Sequence, residues 1–119
     1  MRRMINVLGA RCKIGQPKKG VELGPNIIHE ELMKRMKDCY EYKQVNIKTM
    51  RGYYELMKEH KAMDKPVTIG GDHSIAMSTI GSSLQKEANV KVLWLDAHAD
   101  VNTPESSMSN NLHGMPVST

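Results

Sequence analysis

The sequence predicts an α/β fold, a parallel sheet with helices on both faces, built from about four strands in one small domain spanning residues 1–119. Short apolar runs alternate with stretches of helical period. Neither an internal repeat nor a low-complexity segment breaks that alternation. Strands separated by helices pair in parallel and are covered on both sides.

Residues 4–8 read as the first strand, closed by Gly9. Residues 9–24 contain Gly9, Gly15, Pro17, Gly20 and Gly24 and read as a loop. Pro25 suits the first turn of a helix, and Ile28, Leu32 and Met36 recur at one-turn spacing, giving a helix over 25–37. A weak strand follows at 44–47. Thr49 is placed to cap a helix running to Met63, with Tyr53, Leu56, Met57 and His60 on one side. Pro66 stops it. Residues 67–70 form the third strand and end in Gly-Gly. Residues 74–88 read as a helix with Ala76, Ile80 and Leu84 on its inner stripe. Residues 90–95, the most apolar run, read as the fourth strand.

Composition is that of a soluble globular chain, 39% hydrophobic and 25% charged. With no Phe, one Trp and ten Met, the core is built from aliphatic residues and adaptable thioethers. The net charge of +4 raises the question of nucleic acid. The basic residues are scattered, however (Arg2 and Arg3, Lys18 and Lys19, Lys34, Arg35 and Lys37, Lys58 and Lys61). Most neighbour acids such as Glu31 and Glu55, as on a solvated helix face, and no aromatic residues interleave with them. Nucleic acid is therefore not an expected partner. Cys12 and Cys39 lack CxxC spacing and read as free thiols of a reducing cytosol. The apolar start is too short for a signal peptide, and no run approaches the roughly 20 apolar residues that span a bilayer. A cytoplasmic protein without a membrane partner is expected.

Ligands of open α/β sheets bind beyond the carboxyl ends of the strands. The third strand runs into Gly70-Gly71-Asp72-His73-Ser74 and the fourth into Asp96-Ala97-His98-Ala99-Asp100. Alternation along a continuing strand would put Asp96, His98 and Asp100 on one side. Two carboxylates and an imidazole without cysteine favour Mn²⁺ or a related divalent ion over structural zinc. A carboxylate can bridge two ions, and such a centre lowers the pKa of a shared water. His73 at the Gly-Gly exit reads either as a fourth ligand or as a hydrogen-bonded structural histidine, and Asp72 as a turn or helix cap. Residues 102–114 are dense in small polar groups. They suit a flexible surface loop, or one that presents donors to a carboxylate while His113 carries a proton.

Those segments, with Asn102-Thr103-Pro104, Asn111-Leu112-His113-Gly114 and the loop from Gly15 to Pro25, resemble the arginase branch of the ureohydrolases along essentially the whole chain. The resemblance implies an arginase-like α/β fold with two manganese ions, hydrolysing L-arginine to L-ornithine and urea by a metal-bridging hydroxide. It implies that His73 and Asp100 hold one ion, His98 the other, and Asp96 both. It also implies that His113 handles protons and that Asn102, Ser107, Ser109 and Asn111 recognise the amino acid. Family members are longer, with a later Asp-x-Asp segment and a substrate-holding glutamate, and are often trimers or hexamers. The 119 residues therefore correspond to the amino-terminal part, expected to be inactive alone. Two alternatives remain: a non-catalytic binding or regulatory short form, and a relative such as agmatinase.

Overall fold

A computed structural model describes residues 4–119; Arg2 and Arg3 of the scattered basic set lie outside the described residues. Three parallel strands, β1 (Ile5–Cys12), β2 (Tyr40–Ile47) and β3 (Val67–Gly70), form a sheet in the order β2-β1-β3. The helices are α1 (Gly24–Arg35), α2 (Met50–Ala62) and α3 (Ala76–Lys86), with single 3₁₀ turns at Val21–Leu23, His73–Ile75 and Leu112–Gly114. The α/β class and the parallel sheet are as predicted. The first strand is longer than the apolar run suggests, because Gly9 and Ala10 stay in register opposite both neighbouring strands.

Side-chain alternation along β1 divides the core. Leu8, Ala10 and Cys12 point to one face and pack with Val45, Ile47, Tyr53, Leu56 and Ile75. That face is covered by α2 and α3, which also pack on each other. On the other face Tyr42 fills the space that Gly9 leaves open, and His29 of α1 stacks on Tyr42 with ring centroids 3.7 Å apart. Helices thus cover both faces.

Two expectations are corrected. The inner stripe of α3 is not Ala76, Ile80 and Leu84; the buried residues are Ala76, Ser78 and Ser82, and Leu84 is exposed. The serines allow close approach to α2 because each hydroxyl has a partner. Ser78 donates to the Tyr53 carbonyl at 2.8 Å, and Ser82 donates to the Thr79 carbonyl at 2.9 Å.

Residues 90–95 form no strand. Within the described residues the only ladders join β1 to its two neighbours, and nothing pairs with the outer edge of β3. Leu93 and Leu95 are 82% and 85% exposed, so no layer covers that side. An apolar run marks a segment able to be a strand; hydrogen-bond partners make it one.

Candidate metal centre

The carboxyl ends of the strands point toward one rim of the molecule. β3 ends at Gly70, and the chain turns through Gly71 and Asp72 into His73. Glycine is required at 71, since a Cβ there would lie 2.8 Å from the Cys12 amide nitrogen and closer still to its carbonyl. Asp72 caps the turn by accepting the Ser74 N–H at 3.0 Å, the capping role its position suggests.

His73 Nδ1 lies 3.1 Å from Asp96 Oδ2 and 2.9 Å from Asp100 Oδ2. One donor atom from each of these residues falls within 4.8 Å of the others, a spacing that could hold a metal ion. An imidazole nitrogen and two carboxylate oxygens fit a hard to borderline divalent cation. Asp100 is the most enclosed of the three, its side chain 9% exposed.

This convergence does not arise from strand alternation. Residues 96–98 bend, and Asp100 adopts φ 51°, a left-handed conformation that aspartate tolerates better than most residues. The bend carries Asp96 and Asp100 to His73 and leaves His98 outside, its side chain 83% exposed. His98 still approaches the opposite oxygen of Asp96, with Nδ1 3.6 Å from Oδ1, and its N–H donates to that oxygen at 2.8 Å. The Asp96 carboxylate therefore faces His73 with one oxygen and His98 with the other. The His98 amide holds the Asp96 carboxyl below its ordinary pKa, and the two nearby imidazoles reinforce the effect.

A neighbouring cavity of about 300 Å³ is lined by His98, Asp100, Asn102, Ser107, Ser109 and His113. Four of the five residues expected to meet substrate or protons thus border one space, which Asp100 alone of the candidate metal group also lines. Asn111 does not line it; its N–H donates to Ser109 Oγ at 3.4 Å, and the Ser107 hydroxyl accepts from the Asn110 N–H at 3.0 Å. His113 Nδ1 is buried and has no hydrogen-bond partner.

Two contributors escaped sequence reasoning. Trp94 stacks on His73 with ring centroids 4.6 Å apart, although its place in an apolar run marks it only as core. Gly15 donates its N–H to Asp72 Oδ2 at 3.1 Å and accepts the His113 N–H at 3.0 Å. The sequence marks it only as part of a glycine-rich loop and as the start of the Gly15 to Pro25 segment that carries the family resemblance.

A sheet, a histidine turn and an aspartate pair meeting on one rim define an α/β protein with a candidate metal site. The arginase family profile matches residues 3–119, and the chain belongs to the arginase family. Arginase from Staphylococcus aureus (strain COL) is 33% identical over 143 aligned positions, covering 97% of this chain and 47% of that protein. That stretch exceeds the 119 residues here, so the relative carries additional residues within it. The crystal structure of Bacillus subtilis arginase superposes with a TM-score of 0.86 at 33% identity, covering 97% of this chain and 45% of that one. Entamoeba histolytica arginase, solved in complex with L-ornithine, gives 0.80 at 30% identity, covering 98% and 49%. The chain spans about half the length of the curated relatives it matches. No helix among the described residues is long and apolar enough to cross a membrane.

Proposed function

We propose that this chain supplies part of a manganese centre and that the whole protein hydrolyses L-arginine to L-ornithine and urea. The observation that carries the reading is the Asp96 carboxylate shared between two imidazoles while Asp100 joins His73 on one side. His73, Asp96 and Asp100 would hold an ion, and His98, on the far side of the Asp96 carboxylate, would contribute to a second. Manganese, when bound, supplies Lewis acidity and lowers the pKa of water.

The other residues act on the substrate. Asn102, Ser107 and Ser109 offer amide and hydroxyl groups to the α-carboxylate and α-amino group, with Asn111 beside them. His113, whose Nδ1 has no partner, accepts and returns the proton that C–N cleavage requires. The described residues provide four candidate ligands, too few to complete two ions, so the 119-residue polypeptide binds manganese weakly and turns over little arginine.

The test is urea release from L-arginine and agmatine, with and without Mn²⁺, by the 119-residue polypeptide and by a version extended with the remaining half of a relative. Mn²⁺-dependent urea release from arginine by the extended protein supports the proposal, as does a strong penalty on agmatine, which lacks the carboxylate. Rapid turnover by the short polypeptide overturns the incompleteness claim. A second reading, a non-catalytic module that pairs through its sheet, is favoured by the unpaired β3 edge and exposed Leu93 and Leu95. A stable, monodisperse oligomer indifferent to Mn²⁺ would support it.

A further inference from the structure

Directly behind His73 lies a buried hydrogen-bond cluster that the proposed chemistry does not use. Asp72, 6% exposed, receives the Ser74 N–H and the Ser74 hydroxyl on Oδ1 and the Gly15 N–H on Oδ2. Its own N–H donates to the Cys12 carbonyl at 3.0 Å. The Ser74 hydroxyl also meets the Tyr53 hydroxyl at 2.5 Å, and the Cys12 thiol donates to Tyr53 at 3.4 Å. Because Ser74 gives its proton to the carboxylate, Tyr53 must donate to Ser74. The donors therefore run in one direction, from thiol to phenol to hydroxyl to carboxylate.

The branch through Gly15 leads elsewhere. The N–H of Gly15 is held by Asp72, and its carbonyl receives the backbone N–H of His113. One residue thus joins the turn carrying His73 to the turn carrying His113, and the two turns pack together. A side chain at Gly15 would collide with the Asp72 carboxylate and the Ser74 hydroxyl, so the join tolerates no methyl group.

We propose that Asp72 is a positioning residue: through Gly15 it fixes the His113 turn relative to His73, holding the proton-handling and metal-holding histidines in register. The functional meaning rests on the arginase-type reading of those histidines. The mechanical coupling can be measured without metal.

The experiment compares Asp72→Asn, Gly15→Ala and Tyr53→Phe in the 119-residue polypeptide. The amide introduced by Asp72→Asn would turn a donor toward either Ser74 or Gly15, whereas Tyr53→Phe removes a hydrogen bond of the same cluster without touching the Gly15 branch. Amide exchange at His113 is followed by NMR in metal-free protein, and Mn²⁺ binding by electron paramagnetic resonance. We expect Asp72→Asn and Gly15→Ala each to speed His113 exchange about tenfold relative to other amides and to weaken Mn²⁺ binding about tenfold. Tyr53→Phe lowers Tm yet leaves both readouts within about twofold. His113 exchange that merely follows Tm across the three variants overturns the proposal. If Asp72→Asn does not fold, unaltered His113 exchange in Gly15→Ala overturns it as well. Absence of Mn²⁺ binding in the unsubstituted polypeptide would count against the metal reading, and His113 exchange would still decide the coupling.

Discussion

Trp94 lies stacked on His73, ring centroids 4.6 Å apart and planes 24° apart. Because it is the only tryptophan, the candidate centre carries its own optical probe. Adding Mn²⁺ to the polypeptide should quench Trp94 fluorescence in a saturable manner, and His73→Ala should abolish that response. Unchanged fluorescence at Mn²⁺ concentrations that broaden other signals would argue that no ion sits beside His73.

The geometry separates His98 from the other candidate ligands. Replacing His73 by Ala or Asp100 by Asn should weaken Mn²⁺ binding at the proposed site of the polypeptide at least about tenfold, or about 1.4 kcal/mol. His98→Ala, which alters an exposed ring facing the far oxygen of Asp96, should leave that site within about twofold. Isothermal titration calorimetry distinguishes the two patterns, and equal losses would mean that His98 shares the first ion.

His60 predicts how stability varies with pH. Its ring is half-buried between α2 and α3 beside Ser82, and burial, reinforced by Lys86, pulls its pKa below the ordinary value. The folded state thus releases the His60 proton more readily than the unfolded state does. The resulting stability is fully present above the unfolded pKa of about 6.5 and is lost as pH falls toward the folded value. Relative to His60→Asn, the unsubstituted polypeptide should lose Tm progressively below about pH 6.5. Parallel Tm curves from about pH 8 to about pH 5 would refute this.

The uncovered state of residues 90–95 has a mutational signature. Replacing Leu93 and Leu95 together by Lys should change the stability of the polypeptide by less than about 1 kcal/mol, since both are already in water. By contrast, Leu56→Ala in the fully buried core should cost about 2–5 kcal/mol in denaturant unfolding. A large loss from the lysine pair would mean that these leucines are covered in solution.

Much of the architecture was legible because periodicity records which side of an element faces water. The third strand was bounded correctly, and α2 buries Tyr53 and Leu56 as its spacing implies. Pairing was less legible. Residues 90–95 have strand composition, but the apolar pattern carries no information about the neighbour that must supply hydrogen bonds. The serine face of α3 misled for another reason: a buried hydroxyl with a carbonyl partner packs closely, whereas a hydropathy pattern marks it as exposed.

The sequence by itself determined the residue types of the site and the place of His73 just beyond the carboxyl end of the third strand, because strand polarity and donor chemistry are local properties. Only the tertiary structure decided which of them meet. It brought Asp96 and Asp100 to His73 through a bend rather than an alternating strand, left His98 on the far oxygen, and tied His113 to the same rim through Gly15. Those relations depend on how turns from distant parts of the chain pack together, and neither spacing nor composition encodes the direction in which a loop closes.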